Sequence, residues 1–492
     1  MFRLLLIGFF VIIGCTGRRN PAPNELIVAI AAEPATLDPR YATDANGMRI
    51  SSLIFNGLVR IGDNFQPLPE AALKWVQKGS SFTFYLDPDL RFHNGRPVSI
   101  QDVEFSFAQF LNPKSPFASS IQGIKKVGVS QKNGQIEVHI DFQGTVDRFM
   151  LSELPAIRLL PKEEMESLGD DFRKHLIGTG PFRFAGTDFN EIRLQAVKAK
   201  TPKLTFKIVR DDQTRFQKII KGEVDVAQAE LPPEKIQQLV KRNKGLSVIA
   251  YPGLTTTYIL INFRDPLLAQ KGVRQALAQA INRSELIEHK MFRMAQEATS
   301  ILTPNNPYFL EGLKNPPFDP LASESLITNL NLTGRLLTLK TSNSPLAIEN
   351  GRVLAHQMSA SGLRINLQSF EWGTFYDDVK KGNFQLATMR WVGTVDPDLY
   401  RLAFHSKETP PGRNRGSFAN PKLDHLLDQT TTVKDFKSRR SLFNQIQKIV
   451  HEDLAIIPLW YDQQVTVLRP AVKGYKPSPS SDFWPLVEVY KN

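Results

Sequence analysis

Cysteine is almost absent from this chain, since Cys15 is the only one among 492 residues. The rest of the chain therefore has no thiol that could form an intramolecular disulfide, bind a metal or act as a catalyst. Cys15 follows Arg3 and a short apolar run at residues 4–13. About ten residues at ~1.5 Å each reach only half of a ~30 Å hydrocarbon core. The run is therefore typical of a signal sequence rather than a membrane span.

The tetrad Ile12-Ile13-Gly14-Cys15 resembles the bacterial lipobox. In that motif the cysteine sulfur is diacylated, a small residue precedes the scissile bond, and the cysteine becomes the new N-terminus. We therefore expect a signal peptide at residues 1–14 and a lipidated tether at residues 15–24. Two acyl chains hold a protein on a membrane far better than one, so this tether alone could keep the protein attached. An ordinary secretory signal with an incidental cysteine is the alternative.

Long hydrophobic runs and basic tracts are also lacking. No later stretch approaches the ~20 apolar residues of a membrane helix. The net charge of +12 comes from 61 Lys and Arg spread along the chain, without a motif that reads nucleic acid. We therefore expect attraction to anionic surfaces and no nucleic-acid partner. With 41% hydrophobic and 22% charged residues, the chain is expected to fold into two to four globular domains.

Catalytic motifs are missing too. The patterns G-x-S-x-G, H-E-x-x-H and S-x-x-K do not occur in a credible active-site context, and the eight histidines are scattered. Gly178-Thr-Gly-Pro-Phe182 is not a phosphate loop, because it lacks G-K-[ST] and Pro181 has no amide donor. We expect no catalytic residues, no metal and no cofactor; a metal site built from distant histidines stays open.

Apolar runs of strand length alternate with helical patterns. Ser99 and Asp102 form a capping-box-like helix start, and Val273, Ala276 and Leu277 begin a helical stripe. Strands are predicted at residues 25–31, 82–86, 136–142, 182–184, 258–263, 336–340, 384–391 and 456–460. The fold class is therefore α/β (mixed α+β) with several sheets, and no internal repeat is present.

Two proline-containing segments are candidate hinges. Tyr251-Pro252-Gly253 and Ile457-Pro458 each lie beside a predicted strand. The roughly 200 residues between them look like an inserted domain.

A series of motifs in sequence order resembles one family over almost the whole mature chain. That family comprises the extracytoplasmic solute-binding proteins of oligopeptide and dipeptide ABC importers, often called family 5. The motifs are Glu33-Pro-Ala-Thr-Leu-Asp-Pro39, Ile54-Phe-Asn-Gly-Leu-Val59, Pro69 through Trp75, Leu90-Arg-Phe-His-Asn-Gly-Arg-Pro97, Asp102-Val-Glu-Phe-Ser-Phe107, Gly178-Thr-Gly-Pro-Phe182, Asn262 with Val273-Arg-Gln-Ala-Leu-Ala-Gln-Ala-Ile-Asn-Arg283, Asp396-Pro397, Asn420-Pro-Lys-Leu-Asp424 and Ile457-Pro-Leu-Trp460.

The resemblance implies a bilobed, periplasmic-binding-protein-like fold with a discontinuous domain I and solute between the lobes. The implied ranges are 25–53, 176–253 and 463–492 for domain I, 54–175 for domain II and 254–462 for domain III. Most motif residues are interpreted as structural: His93-Asn94-Gly95 as a turn, and Arg274 and Asp38 as partners of buried polar groups.

The family's solute-contact strands map to Ala42-Thr43-Asp44-Ala45 and to Arg390-Trp391-Val392-Gly393-Thr394. Extended segments pair with a peptide backbone whatever its side chains, which allows broad specificity. Phe117 matches an aromatic position over the ligand, and Trp391 offers a rigid apolar wall. Core packing is the alternative role for both rings.

The chain departs from the family pattern at the position that binds the amino group of the ligand. Peptide-binding members carry an aspartate shortly after the tryptophan, in a pattern like W-x-x-D-x-x-D-P, that pairs with the α-ammonium. Here Thr394 occupies that slot, so an ordinary free N-terminus lacks its counter-charge. Asp396 or Asp44 is a candidate replacement, and Arg390 favours an acidic group on the ligand.

The expected function is therefore a lipid-anchored, extracytoplasmic, monomeric receptor, and not an enzyme. It would bind an oligopeptide or a modified peptide such as a cell-wall fragment and deliver it to an ABC importer permease. Three alternatives stay open: a non-peptide solute on the same fold, a peptidase or glycan hydrolase, and a surface adhesin.

Overall fold

The computed structural model describes residues 24–63, 65–228, 231–242, 245–393, 395–433 and 435–492. Cys15 and Thr394 lie outside these ranges. The strands are β1 (Glu25–Ile30), β2 (Val59–Ile61), β3 (Pro67–Pro69), β4 (Ala72–Lys78), β5 (Ser81–Leu86), β6 (Ile124–Lys132), β7 (Gln135–Phe142), β8 (Phe182–Asp188), β9 (Glu191–Ala196), β10 (Lys203–Ile208), β11 (Val226–Gln228), β12 (Ser247–Ile261), β13 (Ala295–Glu297), β14 (Leu336–Ser342), β15 (Arg364–Phe370), β16 (Leu386–Trp391), β17 (Ile456–Leu468), β18 (Val472–Lys473) and β19 (Tyr490–Lys491).

The α-helices are α1 (Ala45–Ile54), α2 (Ile100–Leu111), α3 (Val146–Arg148), α4 (Lys162–Leu168), α5 (Asp212–Lys221), α6 (Pro233–Arg242), α7 (Lys271–Ala280), α8 (Arg283–Glu285), α9 (Pro320–Asn329), α10 (Pro345–Ser359), α11 (Trp372–Lys381), α12 (Leu399–Phe404), α13 (Pro421–Thr430) and α14 (Phe436–Glu452). Among the described residues, none of these helices has the length and apolar character needed to cross a bilayer.

The mixed α/β class is confirmed, as are the local signals at two helices. Ser99 and Asp102 form a reciprocal capping box at the start of α2. The predicted apolar stripe at Val273, Ala276 and Leu277 is buried on α7. Strands β12 and β17 are much longer than predicted, since they run for 15 and 13 residues. Their extra length includes polar residues that an apolar-run criterion leaves out.

One mixed sheet runs through the molecule, in the order β15, β14, β16, β12, β17, β11, β1, β10, β9, β8, with β13 also paired to β17. A separate four-stranded sheet has the order β4, β5, β7, β6. The antiparallel pair β12 and β17 extends over almost all of both strands, from Ser247 opposite Leu468 to Leu260 opposite Ile456. These two long strands therefore connect the two halves of the large sheet.

The proline segments lie inside β12 and β17 rather than beside a strand, although the predicted strand at residues 456–460 already contained Pro458. Pro252 in β12 lies opposite Gln463, and Pro458 in β17 lies opposite Tyr258. The pairing register shifts between Pro252 and Thr255 and again between Thr257 and Tyr258. Proline has no N–H for a sheet ladder and is tolerated at such irregularities.

Two groups of hydrophobic cores divide the described residues into lobes. The first lobe has cores built from residues 26–239 and 465–489. The second lobe has cores built from residues 258–460, packed on the two faces of β12, β14 and β16. The domain ranges given above remain a prediction.

The motif residues interpreted as structural are engaged with other protein groups. Gly95 has φ +91° in the expected turn. Arg274 donates to the carbonyls of Leu268, Ala269 and Asp453. The fully buried Asp38 pairs with Arg40 at 2.7 Å. These interactions confirm that the motif residues stabilise the fold.

Glu70 is a buried carboxylate in the first lobe, directly after β3. Its Oε2 accepts from the Gly57 N–H at 2.8 Å and pairs with Arg158 at 3.3 Å. Its Oε1 is buried and has no hydrogen-bond partner among the described residues. Burial raises the pKa of the Glu70 carboxyl to about 7, against the opposing charge of Arg158.

Candidate functional site

A cavity of about 640 Å³ opens in the second lobe. It is bounded by strands β12, β14, β16 and β17, by helices α10, α11 and α12, and by the loop at residues 413–415. Every lining residue falls between Thr257 and Asp462. Its volume is in the range of sites that bind small molecules or short chain segments.

One edge of β16 opens into this cavity. Pairing with β14 covers only Leu386 and Ala387, whereas pairing with β12 continues to Trp391. The Asn262 N–H donates to the Gln385 carbonyl, so alternation along the antiparallel pair turns the N–H and C=O of Arg390 away from β12. In the described residues, no strand pairs with that side of Arg390. The main chain of Arg390 is therefore available to an added strand.

Aromatic rings form the apolar wall of the cavity. The Trp391 indole stacks on the Tyr258 ring, with centroids 6.3 Å apart and planes within 8°. Across the cavity, the rings of Trp372 and Tyr376 stack at 5.4 Å. Rings held against each other in this way are rigid and bury a large apolar area at little entropic cost.

The charged lining is predominantly positive. Arg390 Nη2 contacts Asp462 Oδ2 at 2.5 Å, and Asp462 Oδ1 also accepts from the Trp460 indole N–H at 3.1 Å. Arg413 and Arg415 line the cavity as well, whereas Asp462 is the sole carboxylate among the described lining residues. The lining therefore favours an anionic group over a cationic one.

Of the predicted contact segments, Arg390, Trp391 and Val392 are the described residues that line the cavity. Gly393 is exposed, with φ +69°, and lies beyond the end of β16. Thr394 lies outside the described residues, so its placement remains a prediction. The predicted extended segment is therefore a strand as far as Trp391.

The predicted contact strand at residues 42–45 is not a strand. Thr43 is exposed in a loop, and Ala45 begins α1. The Asp44 carboxylate caps that helix, accepting from the N–H groups of Gly47 at 2.8 Å and Ala35 at 3.1 Å. The extended conformation was wrong because aspartate before a helical stretch is a strong N-cap. Contact of these residues with a solute stays a prediction.

Phe117 packs against the core of the first lobe. Its ring centroid lies 5.6 Å from that of Phe110, and it does not line the cavity. The structure thus provides the core-packing contact that was its alternative role.

Asp396 belongs to a polar cluster between the lobes rather than to the cavity lining. Burial raises the pKa of the Asp396 carboxyl, and the negative charge of Asp398 raises it further. The neighbouring Arg439 guanidinium opposes this shift. Asp398 accepts from Arg439 at 2.5 Å and from the Thr145 hydroxyl of the first lobe at 3.1 Å.

The cavity residues that sequence reasoning missed include Tyr258, Tyr376, Arg413, Arg415 and Asp462. The sequence could have indicated two of them as a basic site. Arg413 and Arg415 flank Asn414, and no acidic residue occurs between Thr409 and Asn420. Tyr258 lies within an apolar strand segment, where the sequence alone indicates core, and Asp462 lies beyond the predicted strand at residues 456–460. The described residues include no group of three His, Cys, Asp or Glu side chains that could hold a metal ion.

The described residues form two lobes with a lined cavity in the second. The family model for bacterial extracellular solute-binding proteins, family 5, matches residues 66–411. The chain belongs to that family.

Curated relatives match along most of their length. The chain is 24% identical over 449 residues to the probable di/tripeptide-binding protein 5 of Pseudomonas aeruginosa, covering 84% of this chain and 85% of the relative. It is 27% identical over 508 residues to the periplasmic murein peptide-binding protein MppA of Escherichia coli, covering 92% and 90%.

A solved structure shows the same fold. HbpA2 from Haemophilus parasuis superposes with a TM-score of 0.84 at 23% identity, covering 95% of this chain and 100% of that one.

Proposed function

We propose that this protein is a lipid-anchored extracytoplasmic receptor that captures a peptide or peptide-like solute and delivers it to an ABC importer permease. The observation that carries the proposal is the open edge of β16 at Arg390, which faces a cavity walled by aromatic rings. Membership in the solute-binding family supports the receptor role.

Strand addition is the proposed mode of recognition. An extended peptide that pairs with the N–H and C=O of Arg390 is held by hydrogen bonds that do not depend on its sequence. Its side chains then project alternately to either side of the new strand, into the space lined by Trp391 on one flank and by Thr388 and Arg390 on the other. This arrangement gives affinity for the main chain and a weaker preference for side chains.

The relatives support a peptide-like ligand. The similar proteins are named for binding di- and tripeptides or murein peptides. We place the solute of this chain in the same chemical class: short peptides, including those of the cell wall.

Ligand binding is tested by thermal unfolding against a library of peptides and murein peptides. A ligand at 100 times its Kd stabilises the folded state by about 2.7 kcal/mol. Small-angle scattering on the same samples measures whether the lobes close around the ligand. If no compound stabilises or compacts the protein, the receptor proposal is wrong.

The lipid anchor is tested with Cys15→Ser. We expect this variant to leave the membrane fraction while binding peptides with unchanged affinity, because Cys15 precedes all the residues that form the two lobes. Thr16→Ser, beside the modified residue, is the matched control and should stay on the membrane. Loss of peptide binding by a folded Cys15→Ser variant would contradict the separation of anchor and receptor.

A further inference from the structure

The cavity holds more positive charge than its own carboxylate neutralises. Three guanidinium groups line it, from Arg390, Arg413 and Arg415, against the Asp462 carboxylate as the one acidic group of the described lining. Arg390 is paired with that carboxylate. Neither Arg413 nor Arg415 forms an ion pair with a described acidic residue.

Arg415 is held in one position. Its Nη2 donates to the Tyr376 hydroxyl at 3.0 Å, and its guanidinium lies 4.6 Å from the centre of the Tyr376 ring. The stack of Trp372 on Tyr376 fixes that ring in turn. A guanidinium carries five N–H donors in a planar fork, so most of its donors remain available to a ligand after the bond to Tyr376.

The Tyr258 hydroxyl is a second group in this cavity that can bind a ligand. Tyr258 is 3% exposed and lines the cavity, and its hydroxyl has no hydrogen-bond partner among the described residues. Tyr258 and Arg415 both line the cavity. Burial raises the pKa of the Tyr258 phenol, and the positive charge of Arg415 opposes that rise. The hydroxyl can therefore donate a hydrogen bond to a ligand in the cavity.

We propose that Arg415 and Tyr258 bind the side-chain carboxylate of an acidic residue in the captured peptide. The proposal rests on the proposed function, because the peptide must first pair with the β16 edge. A carboxylate accepts hydrogen bonds from both a guanidinium and a phenol, and charge-assisted bonds of this kind are the strong ones. Arg413, exposed at the cavity rim, adds attraction for the same negative charge.

The test uses a pool of random hexapeptides with amidated C-termini. Peptides retained by the protein are released and sequenced by mass spectrometry, and the most enriched sequence is then compared with its Glu→Gln or Asp→Asn analogue by calorimetry. For the wild-type protein we expect the acidic peptide to bind about 10- to 100-fold more tightly than the amide analogue. Arg415→Gln should reduce this ratio to about 1–3, and Tyr258→Phe should reduce it several-fold.

Arg364→Gln is the matched control, since Arg364 is an exposed arginine of the same lobe at the start of β15, outside the cavity. It should keep the wild-type ratio. The unfolding midpoint of each variant shows that it is folded, and Tyr258→Phe keeps the ring and its packing if Arg415→Gln does not fold.

Each remaining outcome overturns the inference in a recognisable way. Retained peptides without enrichment of Glu or Asp show that the acidic preference is wrong while peptide capture stands. A preference that depends on Arg415 but appears only for free C-termini assigns the site to the terminal carboxylate instead. If no peptide is retained from amidated or free pools, the proposed function itself fails, and this inference fails with it.

Discussion

Arg439 of α14, in the second lobe, donates to the carboxylate of Asp147 of α3, in the first lobe. The Arg439 side chain is 2% exposed and also contacts Asp398 at 2.5 Å. The Tyr308 hydroxyl donates to the same Asp147 carboxylate. Burial lowers the pKa of the guanidinium, but the charges of Asp398 and Asp147 raise it by more. One arginine thus neutralises carboxylates of both lobes.

Removing this arginine should destabilise the protein strongly. Arg439→Met leaves Asp147 and Asp398 without their counter-charge, and breaking a buried ion pair in this way costs about 3–5 kcal/mol. Asp147→Asn should cost less, about 1–3 kcal/mol, because Arg439 retains Asp398. Urea unfolding of the single and double variants measures both effects and their coupling.

The exposed pair of Arg293 and Glu288 provides the control. Glu288→Gln should leave the urea midpoint unchanged, because solvent screens surface pairs. Strict additivity of Asp147→Asn and Arg439→Met would contradict a direct interaction between the lobes.

Glu70 should make stability fall as the pH rises. Its folded-state pKa of about 7 lies above the ordinary 4.5, so the folded protein holds the proton more tightly than the unfolded chain. The fold therefore loses stability between about pH 4.5 and 7 as the carboxyl ionises. Glu70→Gln should be more stable than the wild type at pH 8, by up to about 3 kcal/mol, with the difference vanishing toward pH 4.5.

Thermal unfolding across that pH range measures the difference. Glu349→Gln, on the exposed side of α10, is the matched control and should follow the wild-type profile. A Glu70→Gln variant that is less stable at pH 8 would show that the pair with Arg158 outweighs the burial of the charge.

Strand addition at Arg390 predicts a difference between two substitutions. Arg390→Ala keeps the main-chain N–H and should retain most peptide binding, whereas Arg390→Pro removes that donor and should weaken binding about tenfold or more. Both should remain folded, because the lost N–H points away from β12. Met389→Pro is the contrasting control: its N–H faces Tyr258 of β12, so it should destabilise the sheet. Equal binding by the Ala and Pro variants would exclude pairing at this residue.

Thr394→Asp tests the recognition of the peptide amino group. The substitution restores the aspartate of the family pattern, so peptides with free N-termini should bind about tenfold more tightly. N-acetylated versions of the same peptides, measured by calorimetry, should show no gain. Unchanged affinity for every free peptide would mean that position 394 is not the ammonium slot.

The helices and buried strands were predictable because their signals are local. Ser99 and Asp102 cap α2 within four residues, and the stripe from Val273 to Ile281 follows the helical period. The role of Asp44 was not predicted, since an aspartate before a helix and an aspartate beside a ligand look alike in sequence. Its hydrogen bonds to Ala35 and Gly47 show the capping role, and its contact with a ligand stays a prediction.

The sequence by itself determined the mixed fold class, the order of the family motifs and the expectation of an anchor at Cys15, because each depends on neighbouring residues or on their order along the chain. Only the tertiary structure decided which side chains meet. Pairing of β12 with β16 and β17 brings Tyr258, Trp391 and Asp462 to one cavity although they are far apart in the sequence. It also leaves the Arg390 edge unpaired among the described strands, since β14 pairs with β16 only at Leu386 and Ala387.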